Sequence, residues 1–129
     1  MKNFLKIGLC AFLLGFTACH QKMPIFQSVN AEKFSKIITD KDVQIVDVRT
    51  PQEFSDGHIA NSINLDVKSK DFPDLIKSEL NKDEVVAIYC RSGRRSKKAA
   101  AVLNNAGFTV VELAGGFNEW QDTKGEVVK

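Results

Sequence analysis

From residue 25 onward, short apolar runs alternate with segments whose apolar residues recur at helical spacing. Residues 44–48 (QIVDV), 62–65 (SINL) and 108–113 (FTVVEL) read as strands. Residues 85–89 (VVAIY) form a continuous β-branched run, the mark of a strand covered on both faces. Between these runs, Asn30 is placed to cap a helix over residues 31–38, where Phe34, Ile37 and Ile38 share one face. Pro51 opens a short helical turn through Phe54, and Gly57 ends it. Residues 71–80 predict a helix with Pro73 near its start and Leu75, Ile76 and Leu80 on its apolar side. A helix over residues 96–105, carrying Ala99, Ala100, Val102 and Leu103, is ended by Gly107. Gly115-Gly116 then turns into a short helix bearing Phe117 and Trp120. This alternation predicts an α/β fold in three layers, a mostly parallel central sheet flanked by helices and joined by right-handed crossovers. Open sheets of this kind carry their chemistry at the carboxyl ends of the strands. Cys90 immediately follows the most apolar strand candidate.

The first residues follow another pattern. Lys2 and Lys6 precede or border a stretch over residues 7–16 (IGLCAFLLGF) that is apolar or glycine throughout, and Thr17, Ala18 and Cys19 follow without a charge. As a helix, residues 7–19 would reach about 20 Å at 1.5 Å per residue. A bilayer core is about 30 Å thick, so residues 1–18 read as an export signal and not as a span. The end of that signal, Phe16-Thr17-Ala18-Cys19, resembles the lipobox of bacterial lipoproteins. That resemblance implies a lipidated Cys19, a linker over residues 19–24, and a domain over residues 25–129 held at a membrane in the periplasm or cell envelope. Ordinary signal-peptidase cleavage after Cys19 is the other reading.

Composition narrows the classes further. With 129 residues, 43% hydrophobic and 26% charged, the chain has room for one domain and is not a disordered or low-complexity polymer. The formal charge of +2 gives no reason to expect a nucleic-acid partner, and loss of residues 1–18 removes Lys2 and Lys6 and brings it to zero. Cys10 leaves with the signal. If Cys19 carries lipid, Cys90 is then a lone thiol in a compartment where thiols tend to be oxidised.

The segment that follows this thiol carries the candidate chemistry. Arg91, Arg94, Arg95, Lys97 and Lys98 supply five cations within residues 91–98, with no carboxylate among them. Gly93 permits a tight turn, and a turn leading into a helix directs successive N–H groups inward, where anions bind. Such surroundings favour a thiolate. A buried structural cysteine beside a solvated basic helix face is the competing reading; the joint pattern of strand, Cys, basic glycine loop and helix start favours an anion cradle around a nucleophile.

These residues resemble the rhodanese (sulfurtransferase) family, and the likeness covers about residues 25–122. Asp47-Val48-Arg49, Glu53-Phe54 and Gly57-His58-Ile59, followed by Ala60-Asn61-Ser62-Ile63-Asn64, match its first signature, with Ala60-Asn61 where Pro-Gly is common. Cys90-Arg91-Ser92-Gly93-Arg94-Arg95-Ser96 matches the active-site loop, and Leu113-Ala114-Gly115-Gly116-Phe117 with Trp120 matches the closing signature. The resemblance implies a rhodanese-like fold and a Cys90 thiolate that takes the outer sulfur of thiosulfate, forms a persulfide, and passes it to a thiol or to cyanide. It implies that the amides of Arg91, Ser92, Gly93, Arg94, Arg95 and Ser96 cradle the persulfide and that Arg95 steers the anionic donor. Ser96 is equally suited to capping the following helix. No metal or organic cofactor is called for. His58 reads as structural, Asp47, Arg49 and Glu53 as one ion-pair network, and Phe117 and Trp120 as core or pocket wall.

Two rivals remain in view. Cysteine phosphatases and arsenate reductases of similar fold place their oxyanion-gripping Arg one residue later, where this chain has Ser96. A persulfide carrier, or a binding module dedicated to a protein partner, would share the fold; a module without chemistry has no need of Cys90 in its cationic setting.

Overall fold

The computed structural model describes residues 26–129, so the expected signal, Cys19 and the linker after it lie outside the described residues. The described strands are β1 (Gln27–Val29), β2 (Gln44–Asp47), β3 (Ile63–Asn64), β4 (Val86–Tyr89) and β5 (Val110–Leu113). They form one sheet in the order β1-β5-β4-β2-β3, and every pairing is parallel. The connecting helices are α1 (Ala31–Ile37), α2 (Pro51–Asp56), α3 (Phe72–Glu79), α4 (Arg94–Asn105) and α5 (Gly116–Asp122). This is the α/β fold the alternation predicts, a five-strand parallel sheet flanked by helices.

Strand β4 sits at the centre, and its alternation sorts the core into two layers. Val86, Ile88 and Cys90 pack on one face with Phe72 and Ile76 of α3 and Ala99, Ala100 and Leu103 of α4. Ala87 and Tyr89 pack on the other with Phe34 of α1 and Phe117 and Trp120 of α5. There the Phe34 and Trp120 rings meet edge to face, 6.3 Å between centroids. Burial on both faces is why residues 85–89 carry no charge, and the one hydroxyl among them, on Tyr89, accepts the Ile59 N–H at 3.0 Å.

Local sequence explains the helix starts. The Asn30 side chain accepts the Lys33 N–H at 2.9 Å and caps α1. Thr50 and Glu53 form a reciprocal capping box around Pro51 at the start of α2, and Gly57 ends that helix. Three expectations shift. Strand β1 has no sequence signal of its own: it is three residues long with only Val29 buried, and it exists because β5 offers it a partner. The strands expected over residues 62–65 and 108–113 shorten to β3 and β5. Helix α4 begins at Arg94 and not at Ser96, because Gly93, in a left-handed conformation, is its N-cap. Ser96 therefore lies inside the first turn, fully buried, and caps nothing.

Candidate active site

Cys90 ends strand β4, and residues 91–93 carry the chain from the sheet into α4. Two glycines shape this turn. Gly93 has φ +99°, and a Cβ there would overlap the Ala114 carbonyl. Gly116 has φ +67°, and a Cβ there would meet the Arg91 carbonyl and lie 2.7 Å from the Cys90 carbonyl oxygen. Both positions need glycine for conformation and for close approach. The first turn of α5 thereby reaches the loop backbone. The Phe117 N–H donates to the Cys90 carbonyl at 2.7 Å, and the Asn118 N–H donates to the Arg91 carbonyl at 3.0 Å. In a trans peptide the C=O and the following N–H point in opposite directions. Tethering the Arg91 carbonyl to α5 turns the Ser92 N–H the other way, toward the sulfur.

The Gly93 N–H donates to Cys90 Sγ at 3.1 Å, and the Ser96 hydroxyl lies 3.4 Å from the same atom. Cys90 is 1% exposed. Burial is the largest single influence on its thiol and pushes the pKa up; the Ser96 hydroxyl and the N–H groups of Ser96, Gly93 and Ser92 outweigh it together, so the thiol ionises more readily than an ordinary cysteine. The groups that act on this sulfur most strongly are a hydroxyl and amides of the glycine loop, not its guanidinium groups.

The arginines are arranged differently from the expectation. Arg95 donates from Nη1 to Glu53 Oε1 at 2.7 Å and from Nη2 to Oε2 at 2.9 Å, a bidentate pair. Arg91 reaches the same carboxylate through Nε at 3.2 Å. Glu53 is thus a cap of α2 and a clamp on both ends of the loop. The Arg95 pair, foremost, holds its carboxyl far below the usual range against the opposing effect of burial, with Thr50 and Arg91 adding to the lowering. Arg95 is therefore already engaged by a carboxylate, whereas Arg94 and Ser92 are exposed. The three-residue network expected among Asp47, Arg49 and Glu53 divides in two. Asp47 and Arg49 form a buried pair of their own at 2.7 Å, and Arg49 also donates to the Gly57 carbonyl at 2.6 Å and stacks over Phe117 at 4.3 Å. Next to the loop, a cavity of about 180 Å³ is lined by Arg49, Glu53, Arg91, Phe117, Asn118 and Gln121, among others. Phe117 is thus both core and pocket wall.

His58 stacks on Phe54 at 3.7 Å and donates through Nδ1 to the Phe54 carbonyl at 2.8 Å, a local packing role. Sequence reasoning overlooked Glu112. It sits in the apolar strand β5, fully buried, and accepts from the Ser96 hydroxyl at 2.5 Å. The available signal was a lone carboxylate in the β-branched run FTVVEL. Among the described residues, no group of three or more His, Cys, Asp or Glu side chains is arranged to hold a metal ion.

Fold and loop together define an open parallel α/β domain that presents an acidified cysteine on an amide-lined turn at the end of its central strand. The chain belongs to the rhodanese-like domain family, whose model matches residues 30–123. It is similar to the thiosulfate sulfurtransferase GlpE of Stutzerimonas stutzeri, 42% identical over 80 residues that cover 61% of this chain and 71% of that one. A tRNA uridine(34) hydroxylase of Pelagibacter ubique is 36% identical over 90 residues, which cover 68% of this chain but 30% of the longer hydroxylase. The crystal structure of a rhodanese-related protein from Thermoplasma volcanium superposes with a TM-score of 0.67 at 31% identity, covering 80% of this chain and 98% of that one.

Proposed function

We propose that this protein is a thiosulfate sulfurtransferase that moves sulfane sulfur through a persulfide on Cys90 to a thiol or to cyanide, and that it works at the cell envelope, anchored by lipid on Cys19. The observation that carries the catalytic reading is the Cys90 sulfur, buried yet ionising readily because the Ser96 hydroxyl at 3.4 Å, the Gly93 N–H at 3.1 Å and the neighbouring amides converge on it. Similarity to a thiosulfate sulfurtransferase supports the donor. The anchor rests on the N-terminal sequence pattern alone.

In the first half-reaction the Cys90 thiolate attacks the outer sulfur of thiosulfate. A new S–S bond forms at Sγ as the bond within thiosulfate breaks, and its electron pair leaves on sulfite. The loop amides that hold the thiolate then hold the persulfide anion, charge stabilisation by donors fixed in advance. In the second half-reaction a thiolate or cyanide attacks the outer sulfur, and the S–S electron pair returns to Sγ. Arg94, exposed at the loop, draws the dianionic donor in, and Arg91, largely exposed beside its single contact with Glu53, assists; Arg95, clamped by Glu53, keeps the loop in shape.

Intact-mass measurement after incubation with thiosulfate tests this. The wild-type chain should gain one sulfur and the Cys90→Ser chain none, and cyanide should remove the added sulfur as thiocyanate. A folded wild-type chain that gains no mass would defeat the reading.

A further inference from the structure

Glu112 is a carboxylate in the middle of an apolar strand at the centre of the protein, and nothing in the two half-reactions uses it. Its Oε1 accepts from the Ser28 hydroxyl of β1 at 2.6 Å. Its Oε2 accepts from the Ser96 hydroxyl of α4 at 2.5 Å and from Lys97 Nζ at 3.3 Å. Lys97 is about half exposed, so its charge compensates the buried carboxylate only in part. A valine here would continue the strand without the cost of burying an anion. Ser96 joins Glu112 to the reacting atom, because its hydroxyl is also 3.4 Å from Cys90 Sγ. Cys90, Ser96 and Glu112 are each 1% exposed or less.

The protons in this chain can be counted. With Cys90 as a thiol, S–H donates to Ser96 Oγ and the Ser96 O–H donates to Glu112, so every donor has an acceptor. With Cys90 as a thiolate and Glu112 ionised, the Ser96 hydroxyl has one proton for two buried anions. One anion must give up its bond from Ser96, keeping only its other donors, the Gly93 N–H for the sulfur or Ser28 and Lys97 for the carboxylate, and two like charges are left facing each other across a hydroxyl. One further proton in the group removes the conflict, and the thiol proton is the one at hand.

We propose that Glu112 takes the Cys90 proton through the Ser96 hydroxyl, holds it while sulfur is bound, and returns it when Cys90 departs as the leaving group. The Sγ proton passes to Ser96 Oγ as the Ser96 proton passes to Glu112 Oε2; the total charge stays at one negative, now on sulfur. The sulfur lone pair then makes the new S–S bond while sulfite leaves with its electron pair. On transfer to an acceptor, the S–S pair returns to Sγ and the proton runs back along the same two hydrogen bonds. Glu112 touches no substrate and acts through Ser96, so it is a positioning residue for the proton. The groups facing it are Ser28 from β1, Ser96 and Lys97 from α4, and Cys90 at the end of β4, with Arg95 acting on the sulfur from α4. Cys90 and Glu112 are the two acids joined by the one Ser96 hydroxyl. The inference rests on the reading of Cys90 as a working thiolate.

The test is a pH titration of the full chain followed by thiolate ultraviolet absorbance, with the Cys90→Ser chain subtracted to isolate Cys90. The wild type should show two steps, as a pair sharing one proton does, and Glu112→Gln should merge them into one. Curves with the same number of steps in both proteins, shifted or not, would overturn the proposal. If Glu112→Gln does not fold, infrared spectra of the wild type decide: the C=O band of a protonated buried carboxyl should be present between the two steps, and its absence there overturns the proposal. The titration needs no sulfur donor, so its outcome is separate from the mass gain that tests sulfur transfer.

Discussion

Glu53 joins a helix cap to the cysteine loop, and Glu53→Gln separates those two roles. The glutamine oxygen can still accept the Thr50 N–H that Glu53 Oε1 accepts at 3.0 Å, so α2 keeps its start. Its amide nitrogen, however, turns donor against donor toward Arg95, and the negative charge shared by Arg91 and Arg95 disappears. Charge-assisted hydrogen bonds contribute about 1.5–3 kcal/mol each. The Glu53 and Arg95 side chains are 17% and 20% exposed, so screening trims that figure. Losing the two bonds to Oε2, of which the one from exposed Arg91 contributes little, and weakening the one to Oε1 should cost about 2 kcal/mol, or about 10 °C in Tm for a domain of this size. The pH dependence gives a sharper criterion. The Arg95 hydrogen bonds, foremost, depress the folded-state pKa of Glu53 far below its unfolded value of about 4.3. A depressed carboxyl stabilises fully above the unfolded pKa, and that stabilisation is lost as the pH falls toward the folded value. Thermal unfolding followed by circular dichroism should therefore show the full gap between wild type and Glu53→Gln near neutral pH and a narrowing gap below about pH 4. An unchanged gap at both ends, or none at neutral pH, would refute the argument.

Gly116→Ala should force the first turn of α5 away from the loop and weaken the two hydrogen bonds it donates to the Cys90 and Arg91 carbonyls. We expect a stability loss of about 2 kcal/mol or more and a Cys90 thiolate titration displaced to higher pH; a wild-type titration in a destabilised chain would mean that the amides are not oriented from α5. The proposed anchor predicts incorporation of labelled fatty acid into the full chain and none into Cys19→Ala, and equal labelling of the two would exclude Cys19 as the attachment point.

Wherever local rules carry the structure, the residues announce it. The apolar run at 85–89 locates the central strand because a strand covered on both faces keeps a charge only where another element supplies its partner. Asn30, Pro51 and Gly57 mark helix ends because capping depends on residues adjacent in sequence. Cys90, Gly93 and the cations of residues 91–98 stand together in the chain, so the loop and its thiol are legible without coordinates. The partners of that loop are not. Glu53 lies 38 and 42 residues from the arginines it binds, and Glu112 lies 16 residues from Ser96. Strand β1 is named only by its neighbour β5. Charge along the sequence suggested that Arg95 would meet an anionic donor; the fold brings Glu53 to it first. Periodicity and capping are properties of neighbouring residues, whereas the acidity of Cys90, the clamp on its loop and the proton path behind it depend on which strands become neighbours and which side chains are thereby enclosed away from water.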